Sequence, residues 1–194
     1  MAIHFSAQEL AERRKATVTG LNRRGLHGLL MFRQESMYYL TGYDTFGYCF
    51  FQCLYLGADG NLTLLTRAPD LRQAQHTSII EDIRIWVDQA GKNPADDLRD
   101  ILLEHGCKDT QLGIEFNAYG LTAYNWRLVE TALKDFCALE DAHGKNDAHK
   151  RGVPFQLPDV AFRQRDRVLR RYVPEYTGVA FQIGSSGYTP ADEQ

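Results

Sequence analysis

Long apolar runs are missing from this 194-residue sequence. No stretch approaches the roughly 20 consecutive apolar residues that a bilayer-spanning helix needs. The first residues turn polar by His4 and Ser6, where a secretory leader requires an apolar core. A cytoplasmic protein that does not engage a membrane is therefore expected. Cysteine is sparse: Cys49, Cys53, Cys107 and Cys137 show no CxxC spacing and fall in apolar or strand-like surroundings. That pattern predicts buried free thiols, not a disulfide framework. A basic excess is absent too, with 22 Lys and Arg against 25 Asp and Glu and a net charge of −3. Proteins that neutralise a nucleic-acid backbone carry the opposite balance, so no nucleic-acid partner is expected.

The residues that are present, 44% hydrophobic and 24% charged, suit one ordinary soluble domain with an appendage. A boundary falls at about Asp141. Residues 1–141 hold 14 basic and 19 acidic side chains, whereas 142–194 hold 8 and 6, so the sign of the net charge reverses there. Four of the six prolines lie beyond the boundary. Residues 1–141 are read as the folded domain and 142–194 as an irregular, partly disordered tail.

Within 1–141 the signals alternate between strand and helix. Ser6 with Glu9 forms a capping-box pattern that opens a helix running to Arg24, before Gly25. Leu29 to Phe32 is a short continuous apolar run, as expected of a strand covered on both faces. A helical turn over Ser36–Leu40 follows. Tyr48–Leu56 and Leu62–Thr66, joined by Ala58-Asp59-Gly60-Asn61, read as a β-hairpin. Pro69 and Asp70 open a helix to about His76, and Ile83–Val87 alternates as a strand. Asn93 as N-cap, Pro94 at the first helical position and Asp96 with Asp97 in the first turn announce a helix ending at Gly106. Gln111–Phe116 and Phe136–Leu139 are further strands, separated by a helix over Leu121–Lys134. The sum is an α/β fold with a mixed β-sheet and flanking helices.

Tyr38-Tyr39-Leu40-Thr41-Gly42-Tyr43-Asp44-Thr45-Phe46-Gly47-Tyr48 lies between the first strand and the hairpin. Together with Gly25-Leu26-His27-Gly28-Leu29-Leu30 and Leu64-Leu65-Thr66-Arg67, it resembles the N-terminal domain of the creatinase, prolidase and Xaa-Pro aminopeptidase family over residues 5–141. The resemblance implies a ribonuclease-H-like fold that shapes the mouth of an active site and joins in forming a homodimer. It implies that hydrolysis belongs to a second, C-terminal domain, where carboxylates and a histidine usually hold two divalent metal ions. The 53 residues of the tail are too few for that domain and carry none of its motifs, so a truncated family member without catalytic residues, metal ligands, cofactor or activity of its own is expected. The alternative is a free-standing ligand-binding or assembly module.

The same resemblance makes the loop after Gly42 the candidate contact for a small-molecule or peptide ligand. Tyr43, Phe46 and Tyr48 are of the type that stacks on a ring, and Asp44 suits a cationic group. Phe46 and Tyr48 equally suit packing beneath the hairpin. Arg67 is placed either to bind a carboxylate or to pair with Asp70. In the tail, His143, Asp147 and His149 lie in a turn-rich segment and fit no metal motif, while Arg163, Arg165, Arg167, Arg170 and Arg171 suit the solvent face of a helix over Val160–Tyr172.

Overall fold

The computed structural model of the protein describes residues 4–142. The readings for the tail, from the turn-rich segment at His143 to the helix over Val160–Tyr172, lie outside the described residues. The chain runs α1 (Ala7–Arg24), β1 (Gly28–Met31), α2 (Gln34–Thr41), a 3-10 turn (Phe46–Cys49), β2 (Cys53–Gly57), β3 (Leu62–Arg67), α3 (Ala68–Thr77), β4 (Asp82–Trp86), α4 (Pro94–Glu104), β5 (Gln111–Ile114), α5 (Ala123–Leu133) and β6 (Ala138–Asp141). No helix among the described residues is long and apolar enough to cross a membrane.

The helix boundaries follow from their caps. Ser6 Oγ accepts the Glu9 N–H at 3.1 Å to start α1, and Gly25 ends it at φ 67°, a conformation that needs no Cβ. Glu9 turns its carboxylate to Arg13 one turn on. Asn93 Oδ1 accepts the Ala95 N–H at 3.0 Å and opens α4, and Thr122 Oγ1 accepts the Asn125 N–H at 3.2 Å and opens α5.

The sheet has six strands in the order β4-β3-β2-β1-β5-β6. β2 runs antiparallel to both β1 and β3, while the other neighbours pair in parallel. Five strands thus share one direction and β2 alone opposes them. Side-chain alternation then splits the core into two layers. Leu29, Met31, Leu54, Leu56 and Leu64 meet Leu21 of α1, Met37 and Leu40 of α2 and Ala74 of α3. Leu30, Phe32, Cys53, Tyr55 and Leu65 face the other way, onto Leu98, Ile101 and Leu102 of α4 and Val129 and Leu133 of α5. All four residues of β1 are buried, because helices cover both of its faces.

Three expectations are corrected. The hairpin's first strand begins at Cys53, not at Tyr48. Thr45 Oγ1 accepts the Gly47 N–H at 2.9 Å and Phe50 N–H donates to Gly47 O at 3.0 Å, so residues 46–49 coil into a 3-10 turn before pairing can start. Cys49 rides on that turn and is exposed, unlike the buried Cys53 and Cys107 and the partly buried Cys137; all four are free thiols. The turn expected over Ser36–Leu40 is a longer helix, Gln34–Thr41, closed by Gly42 at φ 80°.

Candidate functional site

Because five strands point the same way, the loops that follow β1, β3, β4 and β5 emerge at one end of the sheet, and the loop entering β2 joins them there. Ligand clefts in open α/β sheets form at such carboxyl ends. Among the described residues, seven of the eight large apolar side chains that are exposed lie at this end: Phe46, Tyr48, Phe50, Val87, Phe116, Tyr119 and Tyr124, with Leu103 the exception. Tyr48 and Tyr119 meet edge to face at 6.0 Å, joining the loop before β2 to the loop after β5. Phe116 stands edge-on to Trp126 at 4.8 Å. A rim of rings therefore surrounds the end of the sheet.

Inside the rim lies a cleft of about 670 Å³, lined by Phe32, Arg33, Gln34, Glu35, Tyr48, Cys49, Asn117, Ala118 and Tyr119. One wall is the start of α2 and the other is the loop after β5. Glu115 ties the two together. Its side chain accepts the Ser36 hydroxyl at 2.5 Å and the Arg33 backbone N–H at 3.2 Å, which places a carboxyl group at the N-terminus of α2, where the N-cap residue Arg33 makes no side-chain capping bond. Burial pushes the Glu115 carboxyl up to about 7, against the pull of the Ser36 and Arg33 hydrogen bonds. Elsewhere, a shallow hollow of about 540 Å³ lies over Asp109–Gln111 and Asp135–Ala138 at the opposite end of the sheet.

The loop after Gly42 divides into buried and open parts. Tyr43 is fully buried, so its ring has no face open to a ligand. Its hydroxyl donates to Gln52 Oε1 at 3.1 Å, its carbonyl accepts from Gln34 Nε2 at 2.7 Å, and burial pushes its phenol up to about 12. Asp44 is partly buried and donates its N–H to Thr77 Oγ1 at 3.3 Å. Phe46 is 87% exposed and Tyr48 44% exposed, so both rings project outward and neither packs beneath the hairpin. Arg67 is engaged: Nε and Nη2 donate to Asp70 Oδ2 at 3.1 and 3.0 Å, and the guanidinium lies 3.5 Å from the centre of the Phe50 ring. Asp70 is buried and also accepts from Thr45 Oγ1 at 2.8 Å, which anchors the loop to α3.

Sequence reasoning singled out the loop and did not single out the cleft beside it. Arg33, Glu35, Glu115, Asn117 and Tyr119 come from two segments about 80 residues apart in the chain. The one signal available was Glu115 itself, a charge set directly after the apolar residues of a buried strand. Among the described residues, no group of three or more His, Cys, Asp or Glu side chains could hold a metal ion.

Comparison with known proteins bears on the same residues. A family model described as the creatinase/prolidase N-terminal domain matches residues 13–148. An uncharacterized hydrolase/peptidase, y4tM, of Sinorhizobium fredii is 26% identical over 147 residues, covering 72% of this chain and 37% of that protein. Among solved structures, an Xaa-Pro aminopeptidase from Streptococcus pyogenes aligns with a TM-score of 0.56 at 17% identity, over 71% of this chain and 95% of that one. The creatinase/prolidase N-terminal domain of an X-Pro dipeptidase from the same species gives 0.54 at 17%, over 68% and 92%. A dipeptidase from Pyrococcus horikoshii OT3 gives 0.54 at 21%, over 70% of this chain and 34% of that one. The matched region therefore spans about a third of the longer relatives. At these identities the solved structures establish the fold.

Proposed function

The chain belongs to the creatinase/prolidase N-terminal domain family, and from that membership we propose that residues 4–142 serve as the non-catalytic accessory domain of a peptidase-like hydrolase. In this role the domain gates substrate and takes part in dimer assembly. The observation that carries the reading is the collection of exposed rings at the carboxyl end of the sheet. A soluble domain seldom leaves so much aromatic surface at one end unless something covers it.

Phe46 and Tyr48 are the parts of the loop that meet the substrate, with Asp44 beside them for a cationic group. Tyr43 acts from beneath, holding the loop through Gln34 and Gln52. Arg67, tied to Asp70 and stacked on Phe50, stiffens the base of the rim. Relatives named as dipeptidases and Xaa-Pro aminopeptidases make a short peptide the substrate class of the enzyme served. No hydrolytic step is assigned to residues 4–142.

The test is turnover by the purified chain. Xaa-Pro dipeptides incubated with the protein and added Mn²⁺ or Co²⁺ should remain intact, and turnover that follows the protein through purification would overturn the reading. The alternative, a free-standing module for a small ligand, is favoured by one observation: the described residues form a cleft of about 670 Å³ beside the exposed rings.

A further inference from the structure

Among the described residues, the cleft beside the exposed rings is lined by residues 32–35, 48–49 and 117–119. Its polar character is set by a pair of opposite charges. Arg33 Nε stands 3.8 Å from Glu35 Oε2, close enough for attraction and too far for a hydrogen bond. Both side chains are partly shielded, at 24% and 18% exposure, and the buried Glu115 carboxyl adds a second negative group near Arg33. Gln34 is already committed to Tyr43 O and Gln52 Nε2. The Asn117 amide stands with the two charges on the lining, and the rings of Tyr48, Tyr119 and Phe32 supply the apolar surface.

This arrangement discriminates among ligand classes. A phosphate would meet Glu35 beside Arg33 and be repelled by it. A simple cation would meet the reverse problem at Arg33. A wholly apolar ligand would strip the remaining water from both charges and return no hydrogen bond. A molecule that carries an anion and a cation a bond or two apart satisfies both charges at once, with its carboxylate on the guanidinium and its ammonium on Glu35. A ring on the same molecule reaches the aromatic walls.

We propose that the cleft between the start of α2 and the loop after β5 is a binding site for the zwitterion of an aromatic α-amino acid. Arg33 takes its carboxylate, Glu35 its ammonium, and Tyr48 and Tyr119 its ring. Glu115 is the positioning residue: its bridge from the end of β5 to Ser36 Oγ and Arg33 N–H holds the two walls in place before the ligand arrives. The proposal stands apart from the accessory-domain reading, since it concerns this chain alone and needs no hydrolase.

Isothermal titration calorimetry of the full chain tests it with four probes: L-phenylalanine, phenylacetate, phenethylamine and L-alanine. L-phenylalanine is expected to bind saturably, and each probe lacking the ammonium, the carboxylate or the ring to bind about tenfold more weakly or worse. Arg33→Gln and Glu35→Gln should each remove the preference for the zwitterion, and Tyr119→Ser the preference for the ring, at unchanged melting temperature. Absence of saturable binding of L-phenylalanine up to about 10 mM overturns the site, as does equal binding of phenylacetate. If Arg33→Gln fails to fold, Glu35→Gln and Tyr119→Ser decide the matter: wild-type affinity and selectivity in both sinks the proposal.

Discussion

Glu115 is 2% exposed, and burial raises its carboxyl to about 7, so the fold resists its charge. Its folded value of about 7 lies above the ordinary 4.5, so between those values the folded protein keeps a proton that the unfolded chain has released. The corresponding stability is fully present below about pH 4.5 and lost as pH rises through 7. Glu115→Gln removes the titration while retaining an acceptor for Arg33 N–H and a donor for Ser36 Oγ. The variant should therefore match wild type near pH 4.5 and exceed it at pH 8, by an amount on the order of 3 kcal/mol. Urea unfolding of both proteins at the two pH values checks this; a variant that is weaker at pH 8 would show that the bridge requires the ionised carboxylate. Tyr43 shows the opposite failing of sequence reading. Its place in an exposed-looking aromatic loop gave no hint that Gln34 and Gln52 draw it fully inside.

Helices were legible because their end chemistry is local. Ser6 and Asn93 each cap within three residues, so the hydrogen bond that starts the helix involves neighbours already adjacent in the chain. Asn93→Ala should cost about 1 kcal/mol, read as a lower urea midpoint at unchanged slope, since α4 packs Leu98, Ile101 and Leu102 against the sheet and must start in register. The start of β2 was not legible. Tyr48 to Gln52 has strand composition, yet Thr45 and Asp70 hold that segment in a turn. Asp70 is 25 residues further on and reaches Thr45 only after α3 has docked. β-Propensity describes fit to a half-buried sheet surface, and here the competing surface was the flank of a helix.

At the scale of the whole molecule, the single antiparallel strand matters most. With β2 alone reversed, the loops after β1, β3, β4 and β5 and the loop before β2 gather at one end, and the exposed rings gather with them. If that rim is the assembly surface of the accessory domain, replacing Phe46 and Tyr119 together with serine should leave the melting temperature within about 1–2 °C of wild type, because surface substitutions away from packed features are energetically small. The same double variant should shift the protein toward monomer in concentration-dependent sedimentation. A wild-type chain that is monomeric at every concentration, or a variant that dimerises equally well, would remove the rim from assembly.

Composition, hydrophobic period and capping residues were sufficient for the α/β class and for the existence of the helices and the hairpin, though not for the start of β2 or the length of α2, because existence rests on interactions within a few residues or on a period that burial on one or two faces enforces. The position of Tyr43 inside and Phe46 outside, the exposure of Cys49 and the bridge from Glu115 to Ser36 were decided only in three dimensions. The bridge from Glu115 to Ser36 spans 79 residues and rests on the parallel pairing of β1 with β5, and the Thr45–Asp70 contact that holds the loop on α3 spans 25. No local pattern encodes such a meeting; it follows from the strand order.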